Sequence, residues 1–247
     1  MQSQRYKILG CPCAGIMEDE ATEQIISLIR EKKAGYMVAI NAEKIWRYKS
    51  DKNLQSVIDK SIFPYPDGAG AVLGLRWLFG IKSEKVNMPI KALEAADRYR
   101  LRTFILGANE TNHELAVANI MRVYPKISLV GHLHGYHEKE FIFSKIIACE
   151  PQLLLIAMGS PVQEIWADEL ISKTQSGIVV GCGGALDILS GTVARAPMFM
   201  IKNNLEWFYR LCVQPWRFWR QLFLPCFFLQ LTSAVIAKKF ISSSSKS

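Results

Sequence analysis

The sequence predicts an α/β protein: a Rossmann-like parallel sheet, a smaller N-terminal α/β unit and a C-terminal helical appendage. Three observations carry this reading. From Thr103 to Leu189, short apolar runs alternate with segments of helical period in the order β-α-β-α-β-α-β-α. Two of the runs, Leu153–Ala157 and Gly177–Val180, each end in a glycine-rich turn that opens a helix, as parallel strands do when they feed crossover helices. At Asn204 the texture changes, and arginines become interleaved with tryptophans ahead of a long apolar run. The body is therefore 1–197, made of units 1–100 and 101–197, and the appendage is 198–247.

In order, Tyr6–Leu9 reads as a short strand and Cys11-Pro12-Cys13-Ala14-Gly15 as a turn region. Glu18–Arg30 is a helix, with Ile25, Ile26 and Ile29 at helical spacing. Tyr36–Ile40 is a buried strand ending at Asn41, followed by helices over Ala42–Tyr48 and Asn53–Lys60. Phe63-Pro64-Tyr65-Pro66 is an extended, proline-bounded segment leading to Asp67 and a helix that closes at Arg76–Ile81. A loop from Ser83 to Pro89 precedes a helix over Ile90–Tyr99. Thr103–Leu106 and Ile127–Val130 are strands, and Thr111–Val123 and Glu140–Cys149 are the helices that follow them.

The two glycine-rich turns, Met158-Gly159-Ser160-Pro161 and Gly181-Cys182-Gly183-Gly184, aim backbone N–H groups and helix N-termini past the carboxyl ends of their strands. Anions such as a sugar-nucleotide diphosphate bind there. Ser160 followed by Gln163 also spells a capping box with Pro161 at the first helical position, and the two readings are compatible. Asp187 lies in the next helix, and Arg195-Ala196-Pro197 follows it. Asp67 sits among small residues, Gly68-Ala69-Gly70-Ala71. It is either a helix N-cap or a carboxylate held at a cleft lip, where it would serve as general base toward a sugar hydroxyl. Asn41, at a strand's carboxyl end, is a turn residue or faces the same cleft.

His132, His134 and His137 fall in Gly131–His137, which reads as a loop without a cysteine or carboxylate at a recognised metal spacing. They are read as facing a polar ligand or solvent; no metal site and no cofactor is expected. The six cysteines, Cys11, Cys13, Cys149, Cys182, Cys212 and Cys226, form no CxxC pair, which fits reduced thiols better than a disulfide framework.

Of the net charge of +8, six units lie beyond Pro197: Lys202, Arg210, Arg217, Arg220, Lys238, Lys239 and Lys246 stand against Glu206 alone. Trp216 and Trp219 alternate with Arg217 and Arg220, a pattern that suits a helix lying at a bilayer interface. The appendage thus reads as membrane-binding. Leu222–Ile236, broken by Pro225, Gln230, Thr232 and Ser233, falls short of a span. An oligomer interface is a third reading; the long apolar run argues against nucleic acid. A nicotinamide oxidoreductase is disfavoured because no GxGxxG opens a first βα unit.

The segments VAINAEK (Val38–Lys44), PDGAG (Pro66–Gly70), AMGSPVQEIW (Ala157–Trp166), GCGGALDILSGTVARAP (Gly181–Pro197) and LEWFYRLCVQPWRFWRQ (Leu205–Gln221) together resemble the WecG/TagA/CpsF family of bacterial glycosyltransferases. The wording is most similar to the branch that transfers N-acetylmannosaminuronic acid. The resemblance implies inverting transfer of an N-acetylmannosamine-type sugar from a UDP-sugar to a polyprenyl-diphosphate-linked GlcNAc, and without a DxD-type cation motif in the sequence that transfer is expected to be metal-independent. The setting it implies is the cytoplasmic face of the bacterial inner membrane, with the protein peripheral. It makes Asp67 the base and gives substrate roles to Asn41, Gln163 and Arg195; the turn residues Gly159, Ser160, Gly183 and Gly184, with Asp187 and the cation Lys85, are read as donor-binding from their own pattern. Arg210, Arg217, Arg220, Trp216 and Trp219 would meet the lipid acceptor. Two departures stand out: Ala39 where relatives usually carry threonine, and Lys85-Val86-Asn87-Met88-Pro89-Ile90 where many read Arg-Val-x-Gly-x-Asp. Lys85 keeps the charge of that arginine but not its bidentate fork. The alternatives are transfer of a different hexose, glucose for example, in exopolysaccharide synthesis, and a non-enzymatic membrane-associated nucleotide-binding protein, which would leave Asp67 and the 158–197 cluster without a purpose.

Overall fold

In the computed structural model, which describes residues 4–174, 177–193, 197, 199–200, 209, 211–212 and 222–244, the apolar runs become one parallel sheet. Its strands are β3 (Gly35–Ile40), β4 (Phe63–Pro66), β5 (Arg102–Gly107), β6 (Ser128–Leu133), β7 (Leu153–Ala157) and β8 (Ile178–Gly181), in the order β4-β3-β8-β7-β5-β6. Strands from the first hundred residues and from the next hundred thus share one ladder, with Met37 opposite Val180 at the join.

Burial on both faces explains the unbroken apolar runs. Along β7, Leu153, Leu155 and Ala157 join one core while Leu154 and Ile156 join the other. Helices α1 (Ala21–Arg30), α5 (Met88–Tyr99) and α6 (Glu110–Val123) supply the first core. Helices α2 (Ala42–Arg47), α3 (Lys52–Lys60), α4 (Ala69–Phe79), α7 (Lys139–Cys149) and α8 (Val162–Thr174) supply the second. The short α9 (Ala185–Leu189) follows β8.

Three local readings change. Cys11–Ala14 is not a turn but strand β2, antiparallel to β1 (Arg5–Ile8). The turn lies one step earlier, at Leu9-Gly10, where both residues take positive φ as a two-residue hairpin loop requires. His132 lies in β6 rather than in a loop, because β5 runs on to Gly107 and keeps pairing, with Ile105 opposite His132 and Leu106 opposite Leu133. Thirdly, the N-cap of α4 is Gly68, at φ 129°, and not Asp67.

In the appendage, α10 spans Leu224–Ser244 as a single helix through Gln230, Thr232 and Ser233. Pro225 sits harmlessly in its first turn, and the Thr232 and Ser233 hydroxyls donate back to helix carbonyls one turn earlier. Phe227 and Leu231 are fully buried, Phe223 stacks on Trp46 of α2, and the Lys238 ammonium donates to the Leu78 carbonyl of α4. The opposite side leaves Leu229, Ile236 and Phe240 exposed. Among the described residues no helix is long and apolar enough to cross a membrane.

Candidate functional site

Strand order decides what meets at the carboxyl edge. Ile40 and Pro66 are register partners, so the residues that follow them, Asn41 and Asp67, emerge side by side. The Asp67 amide donates to the Ile40 carbonyl at 2.8 Å, and a Cβ on Gly68 would lie 3.9 Å from that of Asn41. Beyond β3 come the turn after β8 and then the turn after β7. At ladder spacing, β4 and β8 lie about 10 Å apart across β3, the reach of one hexose carrying a diphosphate. Lys85 joins this edge from the other side, because the Val86 amide donates to the Pro66 carbonyl at 3.3 Å.

Each side chain is set by its element. Asn41 caps α2, its Oδ1 accepting from the Lys44 amide at 2.9 Å. The cleft reading therefore retains only its amide N–H groups. Gln163 does not reach back to Ser160 as a capping box would. It is buried, and its Oε1 accepts from the Gly183 amide at 2.9 Å, so it ties the turn after β7 to the turn after β8. Gly181 is required for this: a Cβ there would stand 2.6 Å from Gln163 Nε2. Gly183 holds φ 51° and, like Gly159 at φ 75°, has open space where a side chain would be. Asp187 accepts from Asn112 Nδ2 at 2.9 Å, which joins α9 to α6.

Beneath the turns runs a buried relay that the sequence did not reveal. Lys44 Nζ donates to Glu164 Oε1 at 2.6 Å, with side chains 9% and 5% exposed, and Gln163 Nε2 donates to the same oxygen at 3.3 Å. A continuous path thus runs from the Asn41 cap through Lys44, Glu164 and Gln163 to the Gly183 amide. Among the described residues, Glu164 Oε2 is buried without a hydrogen-bond partner. One signal was available: Lys44 falls three residues after Asn41 and Glu164 directly follows Gln163, both inside the quoted motifs.

Electrostatics follow from burial. The Tyr65 phenol is pushed well above its usual range by burial, and by the nearby Asp67, Cys182 and Glu164. Burial raises the Cys182 thiol to about 12, so this cysteine is a packed side chain at neutral pH and not a nucleophile. Burial likewise lifts Cys11, to about 12.

Of the residues singled out in the sequence, Asp67, Asn41, Gly159, Ser160, Gly183 and Gly184 follow the carboxyl ends of adjacent strands, Gln163 and Asp187 stand in the helices that come next, and Lys85 is in a loop whose Val86 amide reaches the Pro66 carbonyl. Arg195, Arg210, Trp216, Arg217, Trp219 and Arg220 lie outside the described residues. The departure at Met88 and Ile90 is absorbed by α5: Met88 is fully buried and Ile90 packs on the core.

The sequence profile described as "Glycosyl transferase WecG/TagA/CpsF family" matches residues 6–240. Among curated proteins, the chain is 31% identical over 214 residues to a protein of Bacillus subtilis, covering 85% of this chain and 84% of the relative. It is 29% identical over 199 residues to one of Bacillus spizizenii, covering 79% and 77%. Both relatives are named N-acetylglucosaminyldiphosphoundecaprenol N-acetyl-beta-D-mannosaminyltransferase.

Proposed function

The chain belongs to the WecG/TagA/CpsF family of glycosyl transferases, and from that premise we propose that it moves an N-acetylmannosamine-type sugar, N-acetylmannosaminuronic acid or N-acetylmannosamine, from a UDP-sugar to polyprenyl-diphosphate-linked GlcNAc. The names of the two relatives support this acceptor. The observation that carries the reading is the shared edge: a carboxylate after β4 and two amide-lined turns after β8 and β7, in one row.

The donor diphosphate lies against the N–H groups of Gly159, Ser160 and Gly184, while Gln163 holds the second turn in place through the Gly183 amide and Asp187 shapes the nucleotide side. Asn41 serves a sugar hydroxyl through its amide. The acceptor hydroxyl attacks the anomeric carbon from the face opposite UDP. As its oxygen bonds to carbon, Asp67 takes the proton and the bond to the UDP oxygen breaks. The configuration inverts. Charge developing on UDP is met by Lys85, Arg195 and the turn dipoles, without a metal. Arg210, Arg217 and Arg220 hold the acceptor's lipid diphosphate while Trp216 and Trp219 enter the interface, with the protein peripheral at the cytoplasmic face of the membrane.

The test is a transfer assay with a panel of UDP-sugars and a short-chain polyprenyl-diphosphate GlcNAc acceptor. Expected is an N-acetylmannosamine-type product of inverted configuration, formed equally well in EDTA. Product from a UDP-hexose such as UDP-glucose alone would replace this donor with the alternative. A product that needs added divalent cation would remove the metal-independent step.

A further inference from the structure

We propose that His113, Glu114 and His132 form a binding site for a first-row divalent transition metal, of which Zn2+ is the test case. The donor atoms of these three side chains all lie within 4.8 Å of one another. They come from the first turns of α6 and from the edge strand β6. None of them belongs to the sugar-transfer machinery.

The ring geometry carries the inference. His113 is buried, and its Nδ1 lies 2.8 Å from the Gly107 carbonyl oxygen, which can only accept. Nδ1 is therefore the protonated nitrogen, and Nε2 presents a lone pair. A backbone carbonyl on the outer nitrogen is the arrangement that fixes tautomer and orientation in metal-ligating histidines. That lone pair faces His132 Nδ1 at 3.1 Å. A cation bound at the usual zinc–nitrogen length to both would see them at about 95–100°, within the distorted tetrahedral range. Glu114 Oε1 lies 3.7 Å from His132 Nδ1 on an exposed side chain that can rotate inward to complete the set.

Without metal, the one proton between the rings sits on His132 Nδ1 and is donated to His113. Metal binding shifts it to His132 Nε2, with no change in total protons. Two imidazoles and a carboxylate favour zinc, cobalt or nickel over magnesium or calcium, which prefer all-oxygen shells. The bound ion would clip α6 to β6, a strand paired on one side only, through β5.

The experiment is calorimetric titration of the full chain with Zn2+, paired with Co2+ absorption and with thermal melting. One equivalent should bind, Co2+ should develop visible bands of low-coordinate geometry, and Zn2+ should raise the melting midpoint. Outer-shell changes alone cost metal sites 10–100-fold, so loss of a ligand in His132→Gln should weaken Zn2+ binding by at least about 100-fold. That variant should also lose the melting shift, and Glu114→Gln should weaken binding by a smaller factor. His134→Gln/His137→Gln should bind as the parent does. No binding by the parent overturns the proposal. So does binding unchanged in both His132→Gln and Glu114→Gln, or binding lost only in the His134/His137 variant. Transfer assayed in EDTA is a separate readout, so failure here leaves the proposed reaction standing.

Discussion

Asp67 follows Pro66, and Asn41 follows Ile40, its register partner. A single residue of chain beyond each strand end thus sets the proposed base beside the amide proposed to bind the sugar. Asp67→Asn keeps the shape and removes the proton acceptor. Turnover should fall about 10²–10⁴-fold while donor affinity, read by calorimetry with the UDP-sugar, stays within error. Lys44 poses a different single-residue question, because its charge is spent inside the protein. Lys44→Met leaves the Glu164 carboxylate buried and uncompensated, and should cost about 3–5 kcal/mol in urea unfolding. Adding Glu164→Leu should recover most of that loss, since the pair itself stabilises little beyond an apolar replacement. Neither partner announced the other in the sequence. They stand 120 positions apart, and only the fold brings α2 against α8.

Elements were legible where burial wrote them. The runs at Thr103–Leu106 and Leu153–Ala157 match β5 and β7 to within a residue at each end, because strands covered on both faces have no polar alternation to blur. Hairpin β1–β2 was misread because a Cys-Pro-Cys-Ala string looks like a bend, while the true bend places Leu9 at φ 49°, which its side chain does not advertise. The capping-box reading of Gln163 failed for a related reason. A local capping pattern competed with a partner 20 residues away, and the half-buried amide of Gly183 won. The same contact makes a prediction at element scale. Gly181→Ala pushes a methyl into Gln163 Nε2 and should unhook the two turns. The donor KM should rise about tenfold or more, while a soluble acceptor's KM is unchanged. Equal KM values in variant and parent would mean that the tie does not shape the donor site.

Across the whole molecule, the appendage was legible in composition but not in attachment. Its arginines and tryptophans read as a membrane-binding segment, a proposal still to be tested, whereas nothing in the sequence said that Phe227 and Leu231 would seat α10 on the body. Removing the helix would uncover that seat, so the membrane proposal is better tested on the outer side. Leu229→Gln/Ile236→Gln/Phe240→Gln should leave the melting midpoint nearly unchanged and abolish sedimentation with anionic liposomes. Turnover of a long-chain lipid acceptor should fall while that of a short, water-soluble one persists. Retained sedimentation would move the anchoring to the segment outside the described residues.

The interval between the proposed base and the nearer of the two turns proposed to cradle phosphate, the one after β8, is bridged by β3, so two strand spacings set it rather than any loop. Such a gauge is stiff. Exchanging loops around it can alter which hydroxyls are recognised, but not how many rings fit between nucleophile and leaving group. Enzymes built on this edge should add sugars singly, whatever the sugar.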